Sequence, residues 1–287
     1  MRVCLGILLA VPISLAPGVE PVAKPLNQTA PALQAEQGAP LPSLTSADFN
    51  AALARLKLPG VKINPEEWCV DVEAKVCLRE GMLELVACTK DTKEHESLVV
   101  VEAKPSHIHT ALLLLRAKPG SPAMQQPLDR EGTGFIPVPP RGGAVEVFLV
   151  FKTGADKPAE RPISDFIERA DEHDPSVVNE VAEMESGAGK FPTHSFLFAG
   201  SILNGNGSGP RQYVCDQSGN LISIATFGDE LLCLPEIHES ANGSLVWAAR
   251  TDSLPAIGTE VFLRLRPEGR PPLSPGAGDR KNKDLGN

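Results

Sequence analysis

The chain has 287 residues, with 27 Lys and Arg against 36 Asp and Glu, so its formal net charge is −9 at pH 7. This charge argues against nucleic acid or an anionic membrane as a partner, because both attract basic surfaces. Hydrophobic residues make up 42% of the chain and charged residues 22%, which predicts a packed core. The 25 glycines and 27 prolines favour turns and short strands over long helices.

The first 16 residues are typical of an export signal. Arg2 precedes an apolar run that is too short to span a bilayer, which needs about 20 helical residues. Ser14 and Ala16 are small residues that suit a signal peptidase. We therefore expect cleavage near Ala16, export to the periplasm or the extracellular space, and no transmembrane segment in the mature chain. An uncleaved N-terminal tether is the alternative.

Residues 17–58 are expected to form a spacer rich in Pro, Ala and Gln, with a short helix predicted at 46–56. Residues 59–267 have the length of a single domain. Residues 268–287 combine Pro, Gly and charged residues, which predicts a disordered tail.

The domain is predicted to be α+β, mainly an antiparallel β-sheet with one buried helix at about 105–116 and short accessory helices. Pro105 suits the first position of that helix, and Leu112–Leu115 leave little polar surface near its end. The short connections between apolar segments favour antiparallel pairing, because parallel pairs need long crossovers. The predicted strands are 61–63, 68–72, 76–78, 82–88, 97–103, 145–151, 195–199, 213–215, 221–226, 245–248 and 261–265.

The segment from Val76 to Leu115 resembles the YdjY-type domain of exported bacterial proteins. The resemblance rests on the motifs L-E-L-x-A-C, K-E-H-E-S and H-x-A-L-L-L-L, with looser support at 194–201, 220–227 and 255–267. The family implies no established biochemical activity. Some members have been labelled ferredoxin-like, but this sequence has no C-x-x-C cluster, so we expect no iron–sulfur cluster.

Polar residues of chemical interest lie in two predicted strands, 82–88 and 95–101. If these strands form a hairpin with Cys88 opposite His95, a thiol and an imidazole meet on one face, with Glu84 nearby. A shift of one residue brings Cys88 to Glu96 instead. Such a contact has two interpretations: an activated nucleophile or part of a metal site, or a small buried cysteine beside a hydrogen-bonded histidine.

His109 is predicted to face the core from the stripe that it shares with Leu112 and Leu113. A buried histidine needs a hydrogen-bond partner, and Glu84 or Glu96 is expected to supply it. Glu84, Cys88, His95, Glu96 and His109 are therefore the predicted polar cluster. It is either a structural network or an acid–base or metal site, with Cys88, His95 and His109 as the metal-ligand candidates.

Five cysteines follow the export signal, an odd number for an exported chain. The predicted strand positions suggest disulfides Cys69–Cys77 and Cys215–Cys233, which leaves Cys88 free. This pairing depends on a strand register that the sequence does not determine.

The sequence contains no complete catalytic motif and does not decide whether the protein is an enzyme. Catalytic residues and any cofactor are therefore unassigned. The leading hypothesis is a non-enzymatic exported domain that binds an unknown protein or supports an envelope assembly. The alternative is a metal-binding or thiol-redox protein that uses the Cys/His/Glu cluster, in which a divalent metal is the expected cofactor.

Overall fold

The computed structural model describes residues 55–129, 133–152, 158–170, 191, 193–205, 209–238 and 245–269. The predicted export signal, most of the spacer with its helix, and the tail beyond residue 269 lie outside these residues. Internal contacts divide the chain into residues 1–46 and 47–287, and every described residue belongs to the second unit.

Strands dominate the described residues, and helices are few and short. The strands are β1 (Val61–Asn64), β2 (Cys69–Val76), β3 (Leu85–Thr89), β4 (Ser97–Val101), β5 (Met124–Pro127), β6 (Phe135–Val138), β7 (Ala144–Lys152), β8 (Pro158–Pro162), β9 (Ile167–Arg169), β10 (Ser195–Leu197), β11 (Leu203–Asn204), β12 (Gln212–Tyr213), β13 (Asn220–Ser223), β14 (Leu232–Cys233), β15 (Trp247–Ala249) and β16 (Glu260–Pro267). The α-helices are α1 (Pro105–Leu114) and α2 (Cys215–Ser218), and single 3₁₀ turns lie at Glu94–Glu96 and Ile163–Phe166.

Eight of these strands close into a barrel. The order around it is β2, β16, β7, β10, β14, β13, β3 and β4, and β4 pairs with β2 to complete the circle. β1 extends the sheet from β2, and β8 extends it from β7. The α+β class with dominant strands is confirmed, but the sheet is a closed barrel rather than an open meander.

The barrel is mixed rather than antiparallel throughout. β3 runs parallel to β4, and β13 runs parallel to β14, whereas the other neighbours in the barrel are antiparallel. The prediction of antiparallel pairing from short connections is therefore wrong at these two places. A parallel pair requires the chain to return from the end of β3 to a point beside the start of β3. Residues 90–96 are long enough for this return, because both strands have only five residues.

Side chains along each strand point alternately into and out of the barrel, and those that point inwards fill its core. In β2 the residues Val70, Val72, Ala74 and Val76 are buried, and the residues between them are more exposed. β16 alternates in the same way along Val261–Leu265. Each strand therefore contributes one face to the core.

Helix α1 buries one side only. Its spacing of 3.6 residues per turn places Ile108, Ala111, Leu112 and the following Leu115 in the core, and all four are fully buried. Leu113 points the other way and is 44% exposed. The predicted helix therefore packs against the core through one face, and it ends at Leu114 rather than at about residue 116.

Candidate functional site

The barrel separates the five residues of the predicted polar cluster into three groups. The cause lies in β3 and β4, whose parallel register sets Cys88 beside Val100. His95 lies in the 3₁₀ turn that precedes β4, so neither His95 nor Glu96 lies opposite Cys88. The hairpin contact predicted from the sequence does not form in either register.

The first group is a set of charged side chains near the surface. Nζ of Lys93 lies 3.3 Å from Oε2 of Glu84, and Nε2 of His95 lies 3.3 Å from Oε1 of Glu96. Burial raises the pKa of the Glu84 carboxyl, and its hydrogen bond with Glu96 adds to this effect, whereas Lys93 opposes it. The side chain of His95 is 73% exposed. Glu84 contacts Glu96, and Glu96 contacts His95, so these three residues form one charged group in which Glu84 is buried and His95 is exposed.

The second group surrounds His109, whose partner is not a glutamate. Nδ1 of His109 lies 2.8 Å from the hydroxyl oxygen of Tyr213, and that hydroxyl donates to the carbonyl oxygen of Gly200 at 2.9 Å. The ring of Phe198 packs against the imidazole with centroids 4.8 Å apart. Burial lowers the pKa of His109. The expectation that Glu84 or Glu96 supplies the hydrogen bond is corrected to Tyr213.

The third group contains two sulfur atoms and is called the thiol pocket below. It consists of Cys77, Cys88, Thr92, Ser97 and the backbone N–H of Lys93. Cys88 is fully buried in β3, and Cys77 follows β2 and is partly exposed. Both are free cysteines.

Ser97 and Leu98 of β4 hold Cys77 in place. The Cys77 thiol donates to the carbonyl oxygen of Ser97 at 3.1 Å, and its backbone N–H donates to the carbonyl oxygen of Leu98 at 3.0 Å. The Ser97 hydroxyl donates to the carbonyl oxygen of Lys93 at 2.8 Å. Cys77 therefore approaches β4 from the side of β2, and Cys88 lies on the side of β3.

The thiol pocket lowers the pKa of Cys88 to about 7. The hydrogen bond from Cys77 has the largest effect, burial opposes it, and Ser97, Thr92 and the N–H of Lys93 contribute further hydrogen bonds. The same contact raises the pKa of Cys77, since the thiolate at Cys88 holds the proton on Cys77. The lowered pKa of Cys88 favours the thiolate, which is the reactive form of cysteine.

Neither predicted disulfide is present. Cys69 and Cys77 lie at opposite ends of β2, roughly 26 Å apart at about 3.3 Å per residue, whereas a disulfide needs Cα atoms within about 7 Å. The Cys215 thiol donates to the carbonyl oxygen of Asn220 at 3.1 Å, and Cys233 is also a free thiol. The predicted pairing of Cys69 with Cys77 fails because the strands predicted at 68–72 and 76–78 are one continuous strand, β2.

The described residues contain no group of three or more His, Cys, Asp and Glu side chains arranged to hold a metal ion. Cys88, His95 and His109, the three predicted ligands, belong to three different groups, as described above. Nothing in this part of the chain therefore supplies the converging ligands that a zinc-like site requires.

A second surface of interest is the hairpin formed by β5 and β6, called the apolar ribbon below. Met124, Leu128, Phe135 and Ile136 are between 49% and 64% exposed on it. The two strands pair only with each other among the described strands, so both outer edges are unpaired. Neither strand contains a charged residue. Sequence analysis did not predict these strands, because their residues lack the alternation of a half-buried strand.

The fold defines a closed, mixed β-barrel domain with one amphipathic helix packed into its core. A model of the YdjY domain matches residues 61–266 of the chain, which therefore belongs to the YdjY domain family. Neither the curated proteins nor the solved structures contain a match to it. None of the described helices is long and apolar enough to cross a membrane.

Proposed function

We propose that this protein is an exported, non-enzymatic binding domain that holds a partner in the cell envelope through the apolar ribbon. The observation that carries the proposal is the exposure of four large apolar side chains on one hairpin, with Met124, Leu128 and Ile136 on one face and Phe135 on the other. Isolated exposed apolar residues are ordinary, but a group of them on two paired strands marks an interaction surface. The apolar run at the N-terminus supports export of the chain.

The partner is an extended, uncharged and apolar polypeptide segment. The unpaired edges of β5 and β6 offer backbone hydrogen bonds to an added strand, as in β-augmentation. The absence of charge from both strands, in a chain of net charge −9, disfavours a basic partner on this surface. Pro127 and Pro137 have no N–H, so the backbone donors at these edges come from the other residues of the hairpin. Apolar side chains of the partner strand then cover Phe135 and Ile136.

Selection from a peptide display library on the purified full chain tests this proposal. We expect enrichment of uncharged peptides with alternating apolar residues, and at least a tenfold loss of their affinity in Phe135→Asp, because an anchor side chain is removed and a charge is buried. Ile257→Asp is the matched control, since Ile257 is 64% exposed on another surface. Enrichment of charged peptides, equal binding to Phe135→Asp, or self-association through Phe135 would refute the proposal, and so would catalytic turnover in a broad hydrolase screen.

The alternative function has two parts, thiol-redox chemistry and metal binding, and the thiol pocket bears on the first of them. The lowered pKa of Cys88 favours thiol chemistry, although its cause is Cys77 and not His95. A bound divalent metal stays a prediction, and elemental analysis of the purified full chain tests it.

A further inference from the structure

One residue of the hairpin formed by β11 and β12 has a reactivity that the binding function does not use. Asn204 is the last residue of β11, it is exposed, and Gly205 follows it. An asparagine before a glycine can react with its own backbone, because the next amide nitrogen can attack the carbonyl carbon of the side chain. Glycine favours this attack, since it has no Cβ to obstruct it and adopts more backbone conformations than other residues.

The structure distinguishes Asn204 from the other two asparagines among the described residues. Asn64 precedes Pro65, which has no N–H to supply the nucleophile, and its side-chain oxygen accepts two backbone N–H groups at 3.0 and 3.1 Å. Asn220 is 4% exposed, and its Nδ2 donates to Oδ1 of Asp229 at 2.7 Å. The side chain of Asn204 is exposed and has no hydrogen bond to another described residue.

The backbone of the hairpin leaves the attacking group free. The N–H of Val214 donates to the carbonyl oxygen of Ile202 at 3.0 Å, and Asn204 lies opposite Gln212 two residues further along each strand. Hydrogen-bonded pairs recur at every second residue of an antiparallel ladder. The same alternation directs the N–H of the exposed Gly205 away from β12.

We propose that Asn204 is a site of spontaneous deamidation through a cyclic imide. The nitrogen of Gly205 loses its proton to hydroxide and bonds to Cγ of Asn204, while the bond from Cγ to Nδ2 breaks and the leaving group takes a proton from water to form ammonia. Water then opens the ring at either of its two carbonyls, which gives aspartate or an isoaspartyl linkage. The net reaction consumes one water and releases one ammonia, without oxidation or reduction.

A local rearrangement of the backbone precedes the attack. Ring closure requires rotation about the Cα–C bond of Asn204, which moves its carbonyl oxygen away from Gln212. β11 has only two residues, and the ends of such short ladders open most easily. The pairing therefore slows the reaction relative to an unfolded peptide but does not prevent it.

The product changes the hairpin in charge and in register. A carboxylate appears beside Leu203, which is 57% exposed, and near Arg211, whose Cγ lies 3.1 Å from the position of a Cβ atom on Gly205. The isoaspartyl form also adds a methylene group to the main chain, which disrupts the pairing of β11 with β12. Because Tyr213 lies opposite Leu203 and contacts His109, the modification loosens a support of α1.

Incubation of the purified full chain in buffers from weakly acidic to weakly alkaline pH tests the proposal. Peptide mapping by mass spectrometry locates the product, and enzymatic methylation of isoaspartyl residues identifies its isomer. An Asn206→Gln background removes the asparagine–glycine pair that follows in the sequence. We expect both isomers at position 204, formed faster as the pH rises because the attacking nitrogen must lose its proton, while Asn64 and Asn220 stay intact.

Gly205→Ala is the matched variant, because its methyl group hinders ring closure and leaves Asn204 in place. Its Cβ meets the flexible side chain of Arg211, so circular dichroism should show an unchanged fold. We expect the rate at Asn204 to fall by about tenfold, which corresponds to about 1.4 kcal/mol of activation free energy. The proposal is overturned if Asn204 stays intact while a synthetic peptide of residues 200–213 deamidates, if aspartate forms without isoaspartate, or if Gly205→Ala reacts at an unchanged rate.

Discussion

The contacts of His109 hold α1 against the neighbouring residues Phe198 and Tyr213. It lies in α1 with Phe198 against its ring and Tyr213 against Nδ1. Tyr213 is the only tyrosine in the chain, and burial raises the pKa of its hydroxyl. That hydroxyl donates to the carbonyl oxygen of Gly200. Burial lowers the pKa of His109, which favours the neutral imidazole.

This arrangement predicts a pH dependence of stability. Folding lowers the pKa of His109, so the unfolded chain takes up a proton at a higher pH than the folded chain does. The contribution of His109 is present above the ordinary histidine pKa of about 6.5 and decreases as the pH falls through it. The urea midpoint of the unmodified chain is expected to fall between about pH 7.5 and pH 5.5. In His109→Gln this fall should be smaller, because the variant has no imidazole to protonate at this position.

His95→Gln is the matched control, because it removes an imidazole that is exposed. It should retain the pH dependence of the unmodified chain. An unchanged pH dependence in His109→Gln would contradict the assignment of a neutral, partly buried imidazole.

Single residues were predicted from the sequence with mixed success. Hydrophobic spacing placed Leu112 on the core side of its helix, and its complete burial agrees with this. Cys88 was recognised as a residue of interest, but its partners Cys77, Thr92 and Ser97 were not. Those contacts depend on parallel pairing of β3 with β4, and parallel and antiparallel neighbours leave the same alternation in a short strand.

At the scale of elements, the segment between β3 and β4 is held in place by the end of α2. Gly219 ends that helix with a φ of +76°, a conformation that glycine adopts without strain. A Cβ atom at this position would lie 2.4 Å from Oγ1 of Thr92 and 2.6 Å from Oγ1 of Thr89. The close approach links α2 to the thiol pocket through Thr92.

We therefore expect Gly219→Ala to lower the free energy of unfolding by about 2–4 kcal/mol, through backbone strain and steric overlap together. Gly258→Ala should cost only about 1 kcal/mol, because Gly258 has a φ of +85° but no atom within 4 Å of its Cβ position. Urea denaturation of both variants measures the difference. Equal costs would show that Thr92 moves aside freely.

Several elements were predictable because their patterns are local. The sequence indicates the start of α1 from Pro105 and the cores of β7 and β16 from alternation or apolar runs. Residues 213–215 were predicted as a strand, whereas Cys215 begins α2. Such a short apolar segment fits a strand or a helical turn equally well, and its contacts with the barrel decide between them.

At the scale of the whole molecule, the barrel depends on its last strand. β16 lies between β2 and β7 and pairs with both along most of its length. Arg264 of β16 forms ion pairs with residues of two other strands. Its Nε lies 2.7 Å from Oδ1 of Asp71 in β2, and its Nη1 lies 2.8 Å from Oε2 of Glu160 in β8. Removal of β16 would expose the edges of two central strands and open the core.

A chain that ends at Thr259 is therefore expected to lose its cooperative thermal unfolding transition completely, as measured by circular dichroism. A chain that ends at Gly269 retains β16 and should unfold as the full chain does. A cooperative transition in the shorter chain would contradict the role of β16 in closing the barrel.

The position of β16 also bears on biosynthesis. Translation and secretion deliver a polypeptide from its N-terminus onwards, so β2 and β7 leave the ribosome well before the strand that joins them. A partially emerged polypeptide therefore cannot reach the native state, since long-range pairing must wait for residues 260–267. For the export proposed above, this late completion is expected to keep the precursor unfolded until it is translocated.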